Sequence, residues 1–488
     1  MCRLVPDVIL EIEFRCCTDA ARFEWGVSNS GWQPLPEQGH SLRPRFRKNI
    51  HKQAKLQFTA GDKSADAQQT NQQNDIQPRN FRIYIEGLLE GGRMILGIPR
   101  EIYPKERRVA LVPAVIPNLK KAGLEVLVEA GAGQAAGYSD KEYVEKGAKL
   151  AADRAEVFRA ADIIAQFLCH GANDKNGSVD LPLLRKGQVL MGFLRPLGTA
   201  KTLQEIAERG VTSFAVELMP RITRAQSMDV LSSMATICGY KAVLLAADTL
   251  PRMCPMLTTA AGTIAPARVL IIGAGVAGLQ AIATARRLGA VASAYDMRPA
   301  SKEQVQSLGG RFVELAVEAK DAQDASGYAK AQDESFYQKQ RELLGNVIAE
   351  SDVVITAAVI PGKKSPVLVT KEMVERMAPG SVIVDLAAER GGNCELTQPD
   401  EVIVAHDVTI IGEYNLAGTV PYHASQMFAR NMTSFLLHLV KDGKLQLNLQ
   451  DEITRETLVT RDGEIVNARV REFFSMPALQ AAPAGGGA

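Results

Sequence analysis

A glycine-rich turn constrains the fold of this chain more than any other segment. It reads Gly273-Ala274-Gly275-Val276-Ala277-Gly278 and follows an apolar run at 267–272 that is typical of a buried parallel strand. Residues 279–288 then predict a helix that ends at Gly289. A second apolar run ends in Tyr295-Asp296. A strand, a tight turn, a helix and a strand closed by an acid form the unit that binds a dinucleotide.

Each glycine of the turn has a predicted role. Gly273 allows the sharp turn off the strand, and Gly278 lets the helix pack close to the sheet. Gly275 lacks a Cβ atom, so the backbone can approach a pyrophosphate. The start of the helix then offers free N–H groups and partial positive charge to the phosphates.

The acid at the end of the second strand predicts which dinucleotide binds. Asp296 lies 18 residues after Gly278, where a carboxylate accepts hydrogen bonds from both hydroxyls of the adenosine ribose. It would repel a 2′-phosphate, so we predict NAD rather than NADP. Arg298 leaves the alternative open, because an arginine can accept that phosphate.

The composition argues against a nucleic-acid-binding surface, a transmembrane helix and a metal site. The net charge of +1 gives no broad electrostatic attraction to nucleic acid. No run of about 18 apolar residues lacks a charge, so we expect no transmembrane helix. The seven cysteines and six histidines are scattered, which predicts reduced thiols and no metal site.

Residues 1–93 differ from the rest of the chain. The stretch 61–77 is polar and rich in Gln, Asp, Asn and Ala, a composition that favours disorder. We expect folded structure to begin at Met94. We interpret 1–93 as a start-site overcall, because Glu90-Gly91-Gly92-Arg93 can be encoded by purine-rich codons, as a ribosome-binding site requires; a genuine N-terminal extension is the alternative. Residues 471–488 are expected to form a flexible tail.

Short apolar runs alternate with helical patterns from Met94 onward, which predicts parallel sheets covered on both faces. We therefore predict an α/β protein of two Rossmann-like doubly wound domains, the second inserted into the first. The first domain covers 94–228 and 421–470, and the dinucleotide-binding domain covers 229–420. The expected strands are 95–98, 125–128, 162–165, 188–191, 210–215, 267–272, 352–356, 381–385 and 408–412, and a long helix is expected at 424–440.

A polar segment joins the two domains. Gln226, Asp229 and Ser232 are spaced by three, so a helix would place them on one face, and Arg221 and Arg224 come before it. Ligands bind in the clefts of such folds, and the amide and carboxylate match the donors and acceptors of a nicotinamide carboxamide. The alternative is an ordinary helix start whose N-cap is Ser227.

Several motifs resemble the alanine dehydrogenase and transhydrogenase superfamily. They are, in chain order, Gly97-Ile98-Pro99-Arg100-Glu101, Arg107-Arg108-Val109-Ala110-Leu111-Val112-Pro113, Glu129-Ala130-Gly131-Ala132-Gly133 and Val384-Asp385-Leu386-Ala387-Ala388-Glu389-Arg390-Gly391-Gly392-Asn393. The segment from Arg221 to Ser232 narrows the resemblance to NAD(H)-binding domain I of proton-translocating NAD(P) transhydrogenase, in its alpha subunit. The resemblance covers about residues 94–470.

The resemblance implies a set of site residues. At the nicotinamide it implies Arg221, Gln226, Asp229 and Ser232. At the rest of the nucleotide it implies Arg224, Gly273, Ala274, Gly275, Val276, Gly278, Asp296, Met297, Arg298, Gly327, Tyr328, Gln340 and Val359. Gly327 and Tyr328 match the mobile loop that closes over the nucleotide, and Met297 stands where a Val is common. No metal is implied.

The resemblance also implies partners. Hydride would pass between NADH on this chain and NADP(H) on a domain III carried by another chain. A membrane domain II on another chain would couple that transfer to proton translocation. The chain is then expected to form a homodimer and to be cytoplasmic, peripheral on the inner membrane through its partner subunits.

An alanine dehydrogenase-like amino-acid dehydrogenase is the alternative function. That family is known for a Lys on an early strand and a His in a following loop, which do acid–base work on the amino acid. Here the strand reads Ile163-Ile164-Ala165-Gln166-Phe167 and the loop reads Phe193-Leu194-Arg195-Pro196. Cys169-His170 is a poorly placed substitute. A non-catalytic NAD-sensing module is a further alternative.

Overall fold

The computed structural model describes residues 10–16, 19–28, 31–34, 93–315, 334–360, 364–413 and 415–477. The chain divides into two compact units, Met1–Ile83 and Tyr84–Ala488. In the first unit an antiparallel sheet is formed by β1 (Leu10–Cys16), β2 (Asp19–Ser28) and β3 (Gly31–Pro34). The stretch 61–77 lies outside the described residues, so its disorder and the start-site interpretation of 1–93 stay predictions.

The second unit begins with a sheet of eight described strands, mostly parallel, and the chain returns to it near its end. Strand β21 (Leu458–Arg461) pairs antiparallel with β9 (Thr212–Ala215), which brings the end of the chain back to this sheet. The spatial order is β22 (Glu464–Ile465), β21 (Leu458–Arg461), β9 (Thr212–Ala215), β8 (Val189–Phe193), β7 (Ile163–Leu168), β4 (Ile95–Ile98), β5 (Glu125–Glu129) and β6 (Lys149–Ala151).

A second sheet, of seven described strands, lies between these segments in the sequence. It is parallel except for β17 (Val402–Ala405), which pairs antiparallel with β18 (Val408–Ile411). The spatial order is β14 (Arg311–Phe312), β13 (Val291–Tyr295), β12 (Arg268–Ile272), β15 (Val353–Thr356), β16 (Val382–Asp385), β18 (Val408–Ile411) and β17 (Val402–Ala405). The order reverses between β12 and β15, the switch point at which such sheets bind ligands. The predicted fold, two doubly wound domains with one inserted in the other, is confirmed.

The described helices cover the two sheets. They are α1 (Ile116–Lys121), α2 (Asp140–Glu145), α3 (Arg154–Ala160), α4 (Ala200–Glu208), α5 (Val230–Thr249), α6 (Val276–Arg287), α7 (Ser301–Ser307), α8 (Glu334–Ala349), α9 (Lys371–Glu375), α10 (Pro421–Leu439), α11 (Glu452–Thr457) and α12 (Ala468–Phe473). Short 3-10 helices lie at Pro113–Val115, Gln134–Ala136, Gly177–Leu183, Val216–Leu218, Thr223–Met228, Ala388–Arg390 and Leu416–Thr419. Helix α12 extends into the segment that was predicted as a tail.

Helix α5 joins the two α/β domains. Its first half packs in the core of the first domain through Val230, Met234 and Ile237. Its second half packs in the core of the second domain through Ala242 and Val243. By length and composition α5 is also apolar enough to cross a membrane, although no such helix was expected; 39% of its most apolar window is buried within the protein. Its place in both cores explains its apolar sequence.

Two small hairpins complete the described structure. One pairs β10 (Leu257–Thr259) with β11 (Gly262–Ile264), and its strand residues are exposed on both sides. The other pairs β19 (Val440–Lys441) with β20 (Lys444–Leu445) directly after α10. Helix α10 crosses the core of the first domain, where Phe428 and Phe435 are fully buried. The return of the chain after the inserted domain is therefore anchored by a buried helix.

Candidate functional site

The glycine turn after β12 has the geometry that its residue types predicted. Gly273 has φ 102° and its Cβ position is 2.9 Å from the carbonyl carbon of Ala357, so a side chain fits neither the conformation nor the space. A Cβ at Gly278 would collide with the carbonyl oxygen of Gly273. At Gly275, by contrast, no atom of the described residues beyond its neighbours in the chain lies within 4 Å of the Cβ position. The turn is therefore closed on two sides and open at Gly275, where a phosphate would approach.

The open side of the turn is also the start of α6. Gly275 is the N-cap of this helix and caps it with no side chain, and the first turn holds no acidic residue. Helix α6 begins at Val276, inside the turn, rather than at 279 as the sequence indicated. The free N–H groups and the helix dipole favour an anion here.

Helix α5 packs against the glycine turn. A Cβ at Gly239 would collide with the carbonyl oxygen of Ala277, so this glycine lets α5 lie directly against the start of α6. Ser232 lies seven residues before Gly239, or roughly 10 Å along the helix. The same helix therefore fixes the spacing between the polar segment and the phosphate turn. Gly239 had no predicted role, although a glycine inside a helical pattern is the signal for such a contact.

Asp296 lies at the end of β13, beside the turn, and its carboxylate is fully engaged. Oδ2 accepts from the N–H of Ala274 at 2.8 Å and from Nη2 of Arg298 at 2.8 Å. Oδ1 accepts from the N–H of Arg298 at 2.8 Å and from its Nε at 2.9 Å. The side chains of this pair are largely buried, at 6% and 17% exposure for Asp296 and Arg298. The Asp296 carboxylate therefore links the glycine turn, through Ala274, to the Arg298 side chain.

The loop after β15 forms the other side of the crevice and carries Val359. Asn393 holds this loop: its Oδ1 accepts from the N–H of Ala358 at 3.0 Å and its Nδ2 donates to the Ala358 carbonyl at 2.9 Å. Asp385, at the end of β16, in turn accepts from the N–H of Asn393 at 2.8 Å. The sequence indicated a family resemblance for the segment that carries Asp385 and Asn393, but no role for either residue. Their contacts show that they shape the crevice.

Gln340, another residue predicted to contact the nucleotide, lies on α8 and is hydrogen-bonded to Tyr295, the last residue of β13. Its Nε2 donates to the hydroxyl of Tyr295 at 3.0 Å, and burial raises the pKa of that tyrosine to about 12. Met297 lies between Asp296 and Arg298 in the loop after β13. Gly327 and Tyr328 lie outside the described residues. In the part of the chain that the structure describes, no group of three His, Cys, Asp or Glu residues could hold a metal ion.

The polar segment is not one helix. Residues Thr223–Met228 form a 3-10 helix, and α5 starts afresh after Asp229, whose φ of −76° and ψ of 90° break the helical path. Asp229 rather than Ser227 is the N-cap: its Oδ1 accepts from the N–H of Ser232 at 2.9 Å and its Oδ2 from the Ser232 hydroxyl at 2.6 Å. Asp is a strong N-cap because its carboxylate accepts a hydrogen bond from a free N–H and its negative charge interacts favourably with the positive end of the helix dipole.

The members of the polar segment do not all share one environment. Gln226 is exposed on the 3-10 helix, while Asp229 and Ser232 are half-buried and bound to each other. Arg224 turns away to Asp451, the N-cap of α11, with Nη1 and Oδ2 3.0 Å apart. Arg221 is exposed at the start of the segment. The structure therefore brings Asp229 and Ser232 together and turns Arg224 toward the first domain.

A buried charged cluster joins the domains next to α5. Arg108 donates to Glu106 through Nε (2.7 Å) and Nη2 (2.5 Å), and to Asn415 Oδ1 at 2.7 Å, while its guanidinium lies 3.7 Å from the ring centre of Phe167. Burial alone would raise the pKa of Glu106, but the Arg108 guanidinium holds that pKa below its ordinary value. The Arg108 cation is thus already neutralised by Glu106.

Two further carboxyls lie under the loops at the ends of β7 and β8. Glu101 accepts from the N–H groups of Phe167 and Leu168 at 2.6 and 3.1 Å, and burial raises its pKa to about 8. Glu217 accepts through Oε1 from the N–H groups of Leu194 and Arg195 at 2.9 and 2.6 Å, and burial raises its pKa to about 7. Glu101 therefore holds the backbone at the end of β7, and Glu217 holds the backbone of the loop after β8.

The residues weighed for amino-acid chemistry have structural partners. Gln166 is buried and donates to Asp180 Oδ2 at 2.9 Å. Arg195 is half exposed and lies 3.6 Å from Glu389 of the other domain. His170 is buried and its Nε2 lies 2.7 Å from Glu205 Oε2. None of these three side chains offers a free base to a substrate in the cleft.

The two sheets, the switch-point crevice and the glycine turn define a dinucleotide-binding α/β protein of the dehydrogenase type. Family models described as the N-terminal and C-terminal domains of alanine dehydrogenase/PNT match residues 97–238 and 242–468. The chain therefore belongs to the alanine dehydrogenase/PNT family, and the resemblance described from the sequence is confirmed.

Relatives narrow the position within that family. The chain is 47% identical over 377 residues to the first part of the NAD(P) transhydrogenase subunit alpha of Rhodospirillum rubrum, covering 77% of this chain and 98% of that protein. A solved transhydrogenase from Sinorhizobium meliloti is similar at 44% identity and TM-score 0.68, covering 76% of this chain and all of that one. An L-alanine dehydrogenase structure shares the fold alone, at 24% identity and TM-score 0.66, covering 78% of this chain and 99% of that one.

Proposed function

We propose that the chain is the NAD(H)-binding catalytic subunit of a proton-translocating NAD(P) transhydrogenase of the Si-specific type. It would hold NADH in the crevice of the second domain and exchange hydride with NADP(H) held on domain III of a partner chain. The transhydrogenase relatives are named as an alpha subunit or as the first part of one, which supports a complex of several parts.

The open cradle at Gly275 is the observation that carries this proposal. It lies at the switch point of the second sheet, at an uncapped helix start, with Asp296 at the end of the next strand. These are the features that a pyrophosphate and an adenosine ribose require. The residues present therefore fit a dinucleotide.

The chemistry proposed for the site requires positioning rather than acid–base catalysis. When both nucleotides are bound, hydride would pass between their nicotinamide rings, and no substrate proton would be exchanged. Gln226, Asp229 and Ser232 would orient the ring on this chain, and Arg221 would contact a phosphate or orient Asp229. Gly327 and Tyr328 would close over the nucleotide and exclude water.

The remaining predicted contacts belong to the same proposal. Val276 and Gly278 complete the phosphate turn, while Met297 and Arg298 flank the ribose. Gln340 and Val359 would lie near the adenosine. Arg224 pairs with Asp451 in the structure and would leave that exposed ion pair to contact the nucleotide.

The alternative, an amino-acid dehydrogenase, fits the cleft less well. Such an enzyme must move a proton as well as a hydride and must bind a substrate carboxylate. Gln166 and Arg195 are no bases, and the buried cation Arg108 is already bound by Glu106 and Asn415. The site therefore favours an exchange between two nucleotides.

The partners and location follow from the proposed function. NADP(H) would sit on domain III and the proton path in a membrane domain II, both on other chains. The chain would be cytoplasmic, peripheral on the inner membrane through those subunits, and would form a homodimer. The exposed apolar residues Met256, Leu257 and Ile264 at the β10–β11 hairpin support a protein–protein contact. Light scattering of the purified chain would test the dimer.

A mixing assay tests the proposed function. The purified chain is combined with a domain III protein from a transhydrogenase relative, NADH and thio-NADP⁺, and the reduction of thio-NADP⁺ is followed. We expect transfer only when both proteins are present. Oxidation of L-alanine with NAD⁺ by the chain alone would instead support the dehydrogenase, and NADH binding without any transfer would support a sensing module.

A further inference from the structure

Asn431 of α10 bridges the two sides of the break in the polar segment. Its Nδ2 donates to the carbonyl of Ser227 at 2.8 Å, and its Oδ1 accepts from the hydroxyl of Ser233 at 2.7 Å. The amide orientation is forced, because a carbonyl only accepts and must face the NH₂ group. One side chain therefore ties the 3-10 helix before Asp229 to the first turn of α5 after it.

The helix that carries Asn431 belongs to the core of the first domain. Its neighbours Phe428 and Met432 are fully buried, and Asn431 itself is only 8% exposed. A buried amide with both ends bonded has one stable position, since breaking either bond leaves a polar group unsatisfied. The bridge therefore transmits the rigidity of α10 to the polar segment.

Three other ties of this segment are weaker or more local. The Arg224–Asp451 ion pair is 61% exposed on the arginine side, and exposed pairs contribute little. The Asp229–Ser232 bonds lie within the helix start and do not connect it to another element. Ala225 and Met228 anchor the 3-10 helix by apolar burial, which is not directional. The amide bridge is directional and links two elements.

We propose that Asn431 is a positioning residue for hydride transfer. It fixes the angle between the 3-10 helix and α5, and thereby the placement of Gln226 relative to Asp229. This inference rests on the proposed function, in which those two side chains orient the nicotinamide. Asn431 touches neither nucleotide, and acts through the segment that it holds.

Two variants each remove one of the two hydrogen bonds of Asn431. Asn431→Asp keeps the acceptor for Ser233 but sets a carboxylate against the Ser227 carbonyl. Ser233→Ala keeps the bond to Ser227 and removes the other. Thr433→Val is the matched control, because Thr433 is buried on the same helix and its hydroxyl donates only within it, to the Ala429 carbonyl at 2.7 Å.

Three measurements are made on the full chain. Transfer from NADH to thio-NADP⁺ with domain III gives kcat, protein fluorescence gives the NADH dissociation constant, and hydrogen exchange reports the backbone amides of 221–232. In Asn431→Asp and Ser233→Ala we expect kcat to fall by roughly tenfold to a hundredfold, since small displacements of positioning groups have effects of that size. NADH affinity should change little, exchange in 221–232 should accelerate, and Thr433→Val should match the native chain in all three.

Unchanged exchange in 221–232 for both bridge variants would overturn the proposal, and so would an equal loss of kcat in Thr433→Val. The combined variant Asn431→Asp with Ser233→Ala should lose little more kcat than the worse single variant, because both break one bridge. If the native chain shows no transfer at all, the proposed function fails, while the exchange data still decide whether Asn431 restrains the segment.

Discussion

At the scale of single residues, the carboxylate of Asp296 has no acceptor position left for a ribose. A carboxylate has about four lone-pair directions. Here they are taken by two backbone N–H groups, of Ala274 and Arg298, and by Nε and Nη2 of the Arg298 side chain. The backbone donors are fixed by the turn. A ribose that binds to Asp296 must therefore displace the Arg298 guanidinium.

This competition gives a prediction of unusual sign. Arg298→Ala should strengthen NADH binding by roughly threefold to tenfold, because it removes a charged competitor for Asp296. Isothermal titration of the purified chain with NADH measures the effect. Arg287→Ala, which removes an exposed cation at the end of α6, is the control for net charge. Weaker binding in Arg298→Ala would instead indicate direct contact between Arg298 and the nucleotide.

The position of Asp296 could be predicted from the sequence, but its engagement could not. The apolar run predicts the strand β13, and Asp296 follows it 18 residues after Gly278, where the acid of such a unit is expected. Whether a neighbouring arginine folds back onto that acid depends on a rotamer, and no local pattern specifies it. The same limit applies to Gln340, whose predicted adenosine contact stays a prediction while its bond to Tyr295 is seen.

At the scale of elements, two glycines of one turn should respond differently to the same change. Gly275→Ala should melt like the native chain and bind NADH at least tenfold more weakly, since the Cβ fills only the space left for a phosphate. Gly278→Ala should lower stability by about 1–3 kcal/mol, because its Cβ meets the Gly273 carbonyl. Thermal melts and NADH titration of both variants test this. Equal melting temperatures for the two would contradict it.

The loop between β8 and α4 carries a prediction about pH. Between about pH 4.5 and 7 the folded chain keeps a proton on Glu217 that the unfolded chain has lost. Stability should therefore fall as the pH rises through that window, by up to about 3 kcal/mol. Glu217→Gln keeps an acceptor for Leu194 and Arg195 but does not titrate, so its melting temperature should fall less between pH 5 and pH 8. Glu101 adds a similar fall, with a pKa of about 8, to both proteins. Parallel pH profiles for the two proteins would refute this role of Glu217.

The elements themselves were largely predictable, because apolar period and glycine stops mark strands and helices locally. Each expected strand of the two α/β domains begins within two residues of its predicted start. The prediction that one helix carries Gln226, Asp229 and Ser232 was wrong, and so was the alternative that Ser227 is the N-cap. The spacing of three fits a helix equally on either side of Asp229, and the break there comes from the capping carboxylate.

At the scale of the whole molecule, the inserted arrangement could be predicted, since a βα alternation and a late helix signal the return to the first domain. Two long-range bonds near the domain junction could not. Arg108 meets Asn415, and Asn431 meets Ser227, across 307 and 204 residues of sequence. Only the folded chain brings these groups together, so a one-dimensional pattern carries no sign of them.

The buried cluster at this junction gives a prediction for the stability of the entire second unit. Glu106→Gln leaves the Arg108 guanidinium buried with one neutral acceptor in place of a carboxylate, which should cost about 3–5 kcal/mol. Adding Arg108→Met removes the uncompensated charge and should recover most of that loss, because the apolar side chain packs on Phe167 without desolvating an ion. Urea unfolding of the native chain, the single variant and the double variant separates these terms. If the double variant is no more stable than Glu106→Gln, the prediction is wrong. The ion pair of Glu106 and Arg108 would then contribute more to stability through its charges than an apolar replacement contributes through packing.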